Sequence, residues 1–423
     1  MSSSNPARRH AAALIALLLA WPLVAAAAEP PLTLDAAVAL AVRDAPALAA
    51  DASRATAARD DAVRVGRLPD PELTFGINNL PVQGPGAYTV DADPMTMRTI
   101  GLMQRIPSRA ARDAARALAQ AGIDAADAAR VAAGEDVRRT AAAAWVALWA
   151  DGRRRTLLAE MREEAETAVS ASRARLAGGT GSAGDALAAR GELAALDNRI
   201  DAADAAIDAD RAALARWLGA DAGRPLAGPP DFAALPVAPA RLLAMIDRQA
   251  PLLPWTARER EAEAALAAAR ASKRPDWRVG ANYGVRTAGR SDMVMLEVGV
   301  SLPLFARNRQ DRAISARYAE RDAAAAEHEA ARRAQRAAVE RTLADWQGWT
   351  RQVRRYRDTL LPLARDRTRA GLAAYRGGAS LQAWLDARRD EIATRIGYAD
   401  ALDAWGRAWT TLAYLLPPEE GTP

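Results

Sequence analysis

The sequence predicts a mainly α-helical chain of long antiparallel coiled-coil rods carrying two β-hairpins, whose four strands pool with those of other copies into a transmembrane β-barrel. Three observations lead there. Half the residues are apolar yet only 5% are aromatic, with alanine filling the difference and arginine supplying nearly all the basic charge; Lys273 is the sole lysine. That mixture favours long helices packed side by side. The chain also repeats one plan twice, and each copy of the plan contains two stretches that alternate with period two.

Arg8 and Arg9 precede an apolar run from Ala11 to Ala28 that ends in small residues before Glu29-Pro30. A basic start, a short apolar segment and an A-x-A site predict a secretory signal peptide over 1–28. No later stretch is long and apolar enough for a transmembrane helix. The first repeat is expected over 29–218, a Gly- and Pro-rich linker over 219–239, the second repeat over 240–416, and a short tail over 417–423.

In the first repeat Ala45-Pro46-Ala47-Leu48 opens a helix that stops at Leu68-Pro69-Asp70; Ala250-Pro251-Leu252-Leu253 and Arg274-Pro275-Asp276 do the same in the second. Each Pro-Asp is followed by alternation. Leu73, Phe75 and Ile77 share one face of a first strand, with Ile100, Leu102 and Ile106 on its partner, giving a hairpin over about 72–106. Trp277, Val279, Ala281, Tyr283 and Val285 share a face in the second, opposite Val294, Leu296, Val298 and Val300, over about 277–302. The first pair is joined by a long loop from about Pro81 to Met97, the second by a short one around Ala288–Ser291. Strands of about nine or ten residues are expected, the length a tilted strand needs to cross a bilayer.

After each hairpin comes a long helix, over about 108–177 and 307–376, the second containing Pro362. At ~1.5 Å rise each is on the order of 100 Å long. Both end at paired glycines, Gly178-Gly179 and Gly377-Gly378, where the chain can reverse. The returning helices run to about Leu218 and Leu416. Thr33–Gly66 and Asp185–Leu218 together nearly equal the long helix, so two short helices stacked end to end can lie along it. The larger residues Trp145, Leu148, Trp149, Trp346, Trp349, Tyr356, Trp405 and Trp409 are expected to fill seams between rods.

Four strands cannot close a barrel alone, and open edges in lipid cost several kcal/mol per unpaired group. Two copies would give a barrel filled by its own side chains; three give twelve strands and room for a conduit.

Other functions find little support. Cysteine is absent and histidine occurs only as His10 and His328, excluding thiolate and histidine metal sites. A net charge of +5, interleaved with acids, argues against nucleic acid. The acidic groups Glu163-Glu164, Asp60-Asp61 and Asp201/Asp204 lie among arginines at helical spacing and read as solvated salt-bridged faces rather than catalytic pairs. No nucleophile or phosphate-loop motif occurs, so no enzyme and no cofactor are expected. A periplasmic coiled-coil adaptor would fit the helices but leave the hairpins without purpose. Five of the eight methionines, Met95, Met97, Met103, Met293 and Met295, lie in the hairpin regions. They read as lipid-facing or packing residues, the alternative being a thioether ladder for Cu(I).

The twofold plan, the stretch Ala374–Arg388 (AYRGGASLQAWLDAR) and its counterpart from Arg175-Leu176-Ala177-Gly178-Gly179 to Asp185-Ala186-Leu187 resemble the TolC-like outer membrane efflux proteins. The resemblance spans about Leu32 to Leu416. Leu68-Pro69-Asp70-Pro71-Glu72, Asn79-Leu80-Pro81 and Met95-Thr96-Met97-Arg98 look most like the CzcC/CusC-type members of heavy-metal efflux systems. The resemblance implies a homotrimer in the outer membrane of a Gram-negative-type envelope, with a twelve-stranded barrel and an α-helical barrel through the periplasm. It implies a passive exit duct served by a periplasmic adaptor and an inner-membrane RND pump, carrying heavy-metal cations; drug efflux or type I protein secretion are the alternative cargoes. Adaptor docking then falls on the tips at Arg175, Leu176, Gly178, Gly179, Tyr375, Arg376, Gly377 and Gly378, and the periplasmic gate on Asp185 and Asp386. A further gate carboxylate of the family is replaced by Ala383. Some metal-efflux relatives carry a lipid on an N-terminal cysteine, which this chain lacks.

Overall fold

A computed structural model describes residues 30–286 and 289–418. The expected signal peptide, Ala288 of the short hairpin loop and the last five residues lie outside the described residues. The elements are α1 (Leu34–Asp44), α2 (Pro46–Arg64), β1 (Glu72–Asn78), β2 (Met97–Ile106), α3 (Arg109–Ala177), α4 (Ala183–Leu218), α5 (Pro239–Ala244), α6 (Leu253–Ala271), β3 (Trp277–Arg286), β4 (Met293–Val300), α7 (Gln310–Arg355), α8 (Leu361–Arg376) and α9 (Leu381–Ala413). Among the described residues no helix is long and apolar enough to cross a membrane.

Helix starts follow from side chains that accept otherwise unpaired amides. Thr33, Ser108, Ser182 and Ser380 cap α1, α3, α4 and α9. The 69-residue α3 spans ~100 Å and packs against α1, α2, α4, α6 and α9. Pro362 does break the second long rod, expected as one helix over 307–376. Lacking an N–H, it sits in the first turn of α8, and the preceding turn, Tyr356–Leu360, widens into a π-turn.

The two hairpins join into one antiparallel sheet of order β1-β2-β3-β4 through the β2–β3 pair. β2 and β3 have the expected length; β1 has seven residues and β4 eight. β1 ends where Asn79 turns to φ 57° and its carbonyl accepts from the Thr96 hydroxyl at 2.9 Å. β4 ends at Ser301, whose hydroxyl accepts from the Asp276 amide at 2.9 Å.

The main core lies midway along the rods. Leu32 forms a bridge with Leu226 of the linker, and the linker then inserts Phe232 among the rings of Trp149, Trp405 and Trp409, with centroids 5.4–5.9 Å away. Linker and N-terminal carbonyls accept from the indoles: Trp145 donates to Leu32 at 3.0 Å, Trp346 to Phe232 at 2.8 Å and Trp409 to Ala234 at 2.6 Å. A side chain at Gly406 would come within 2.5 Å of Val146, so a glycine lets α9 approach α3 here.

Beside this core, Glu135 of α3 is buried 3.6 Å from Arg138, with Asp35 and Tyr414 lining the same cleft. Burial, opposed by Arg138, pushes its carboxyl up to about 7 from an ordinary 4.5. Folded Glu135 therefore keeps a proton that the unfolded chain releases, a contribution fully present below about pH 4.5 and lost as pH rises through 7. Glu135→Gln is expected to abolish that loss, worth about 3 kcal/mol. Melting temperatures at about pH 5 and pH 8 check it: the wild type should lose markedly more at the higher pH than the variant, in which only other groups such as Asp210, also raised, still contribute. A variant with the wild-type dependence contradicts the assignment.

Candidate functional site

The sheet has two chemically opposed faces. On one, residues pair as rows of large apolar side chains: Leu73–Leu102–Ala281–Leu296 and Phe75–Ile100–Tyr283–Val294. These side chains are exposed, Leu296 by 80% and Phe75 by 74%. The other face carries polar residues such as Thr74, Thr99 and Asn282, charged ones such as Arg278 and Glu297, and four methionines, with glycines between them. A side chain at Gly101 would collide with the Asn282 amide 1.8 Å away. The apolar face is thus left uncovered within one protomer, while on the other Met97, Gly101, Gly280 and Gly284 are buried, and β1 and β4 each leave an edge without a partner strand in the sheet.

At the opposite end of the rods the two helical hairpins turn. Gly179 and Gly378 adopt φ 73° and 104°, the left-handed conformation a reversing turn requires. The Thr180 and Gly181 amides return to the Arg175 carbonyl at 2.9 Å, and the Ala379 amide to Ala374 at 3.0 Å. Arg175 ties the turns together: its guanidinium donates to the Tyr375 carbonyl and, at 3.1 Å, to that of Thr180. It also lies 4.4 Å above the Tyr375 ring. Leu176, Gly178, Gly179, Arg376, Gly377 and Gly378 are exposed. Tyr375 is wholly buried, so within this protomer it holds the tip together and presents no surface, which differs from its expected place among the contact residues.

Asp185 and Asp386 have different surroundings. Asp185, half-buried in the first turn of α4, lies near Tyr375. Burial first, then the Asp185 charge, raises the Tyr375 phenol above its ordinary value, against the pull of Arg175. Asp386 is exposed on α9, accepts from Gln382 at 2.8 Å and lies 3.7 Å from Arg389. Ala383, one turn earlier, is exposed on the same helix.

Reading the acidic pairs as solvated faces misses one group. Arg388, Glu391 and Arg395 are at most 3% exposed between α9 and α3. Arg388 pairs with Glu164 at 2.7 Å; Arg395 pairs with Glu391 at 2.6 Å and Glu160 at 2.9 Å, and donates to the Leu157 carbonyl at 3.2 Å. Burial lowers the Arg388 guanidinium from its ordinary value against the pull of Glu164 and Glu391. Glu164 is therefore an interhelical partner. The signal lay in periodicity: 388, 391 and 395 fall in the same stripe as Leu381, Trp384, Leu385, Ile392 and Leu402, all buried. Among the described residues no group of three His, Asp or Glu side chains could hold a metal ion.

Residues 246–416 match the family model of the outer membrane efflux proteins. No curated protein matches the sequence. Among solved structures, a membrane protein from Pseudomonas aeruginosa superposes with TM-score 0.79 at 21% identity, covering 92% of this chain and 91% of that one. VceC from Vibrio cholerae gives 0.72 at 18% identity, over 90% and 94%. CusC, a transmembrane channel, gives 0.73 at 16% identity, over 91% and 92%. At such identities the likeness is one of fold, and it extends from the sheet to the helical tips.

Proposed function

We propose that the chain is an outer membrane efflux protein, and that three copies form the passive exit duct of a tripartite efflux assembly. The observation that carries this reading is the sheet: an apolar face whose large side chains are mostly exposed in the protomer, a polar face opposite, and two free edges, set on rods ~100 Å long. In lipid the edges must pair. β1 and β4 run in opposite directions, so β4 of one copy can continue onto β1 of the next, and three repetitions close twelve strands. The apolar face then meets hydrocarbon and the polar face lines the conduit. Energy comes from a partner pump of the RND type, reached through a periplasmic adaptor.

The exposed tip residues Leu176, Gly178, Gly179, Arg376, Gly377 and Gly378 form the docking surface, with Arg175 and Tyr375 fixing its shape from behind. Asp185 and Asp386, each repeated three times, ring the periplasmic mouth as its gate, and Asp185 also bears on Tyr375. The cargo is heavy-metal cations, a reading supported by the likeness of the first hairpin to CzcC/CusC-type channels.

Two measurements test this. The protein should fractionate with outer membranes as a heat-modifiable trimer; a soluble monomer would overturn the reading. In planar bilayers, Asp185→Ala with Asp386→Ala should raise conductance or weaken cation preference severalfold. Wild-type conductance and selectivity in that variant would remove both aspartates from the gate.

A further inference from the structure

All four methionines within the strands lie on the polar face of the sheet, on consecutive rungs. Met97 pairs with Asn78 and Arg286; Met293 faces Gly284, which pairs with Thr99; Met295 faces Asn282, which pairs with Gly101; Met103 pairs with Glu72 and Gly280. Each rung is two residues beyond the last, roughly 7 Å along the strand. The opposite, apolar face is built of Leu, Ile, Val, Phe, Tyr, Trp and Ala together with Arg98 and Gln104, and carries no methionine. Of the expectation that the methionines are lipid-facing or packing residues, this segregation removes the lipid-facing half, while Met97, 8% exposed, does pack within the sheet. On the polar face, methionine is the only large apolar residue type, where packing against lipid gives no reason for it.

Neighbouring glycines leave room for two of the thioethers on this face, although Met97 itself is only 8% exposed in the protomer. A side chain at Gly284 would lie 3.2 Å from the Met97 sulfur, and one at Gly280 would lie 3.9 Å from the Met103 methyl. The Met97 side chain thus lies across a glycine, and Met103 has space of the same kind beside it.

We propose that these four rungs are a relay of weak sites for a soft monovalent metal cation, Cu(I) or Ag(I), along the barrel wall. The proposal rests on the duct reading above, since only closure of the sheet places the rungs around a lumen, each then offering three thioethers. Neutral thioether sulfur selects soft cations over the hard ions of the medium. Conduction also requires sites favourable enough to enter and weak enough to leave, repeated at short intervals. Thioethers meet that condition better than thiolates, and the chain contains no cysteine. Met95, in the long loop outside the strands and 59% exposed, stands at the outer end of the series.

The absence of thiols makes the test clean. Purified full-length protein would be titrated with silver nitrate in chloride-free buffer, and bound silver measured by equilibrium dialysis. The same samples would be assayed in planar bilayers for potassium nitrate current, with and without micromolar silver. The test variant carries Met97→Leu, Met103→Leu, Met293→Leu and Met295→Leu; the control carries Met161→Leu and Met245→Leu, away from the sheet. The expected result is silver binding at least tenfold weaker in the test variant, loss of the silver effect on current, unchanged potassium current, and a control that behaves as wild type. Equal silver binding and equal silver effect in the test variant and wild type would overturn the relay. A wild-type protein that passes no potassium would instead overturn the duct, while its silver titration would still report on the methionines.

Discussion

Replacing Arg395 with leucine is expected to destabilise the protein by about 3 kcal/mol, the cost of removing the hydrogen-bonded partner of a buried carboxylate. Glu391 is 1% exposed, and Arg395 donates to one of its oxygens through two nitrogens, at 2.9 and 2.6 Å. The same guanidinium reaches Glu160 and the Leu157 carbonyl of α3. Its loss therefore leaves the buried Glu391 with only the longer 3.8 Å contact to Arg388 and loosens α9 from α3 between the tip and the main core. The heat-modifiable trimer should disappear or melt many degrees lower. Arg395→Met combined with Glu391→Leu should recover most of that loss, because removing both charges also removes the cost of burying them. A single variant that assembles and melts like wild type would show that the contact contributes little.

The second large effect concerns the outer face of the sheet. Leu296→Arg places a charge at mid-strand on the apolar face, at a cost of about 2–4 kcal/mol per copy at the bilayer midplane. Assembled outer-membrane trimer should fall at least tenfold. Thr74→Arg, on the other face at a similar depth, should leave assembly intact and alter only conductance. The pair of variants separates lipid from lumen directly. If both assembled equally well, or if Thr74→Arg were the one that failed, the assignment of faces would be wrong.

Much of this architecture is legible in residue order. Pro46 lies in the first turn of α2, whereas Pro251, expected to open the matching helix, sits in a short 3-10 turn and α6 starts only at Leu253. Ser108 and Ser182 cap the helices that follow them, and the paired glycines mark both reversals, because each acts on its own backbone. Strand alternation shows which residues share a face, since side chains alternate strictly along an extended chain. The interruption by Pro362 was legible as a position, though not as a widened turn. Charges were harder to place. Glu164 and Arg388 are far apart in sequence, so nothing local shows that a helix rotation brings them together in a buried seam.

The chain's own order settled the local matters: where helices start and stop, which strand residues travel together, and that every sulfur atom is a thioether. Those are decisions of backbone geometry and composition within a few residues. The folded molecule alone settled that β2 pairs with β3, that Phe232 of the linker enters the tryptophan cluster, that Tyr375 is covered by Arg175, and that the strand methionines share the polar face. Each of these joins segments distant in sequence, and register and packing between such segments depend on every neighbour that competes for the same surface.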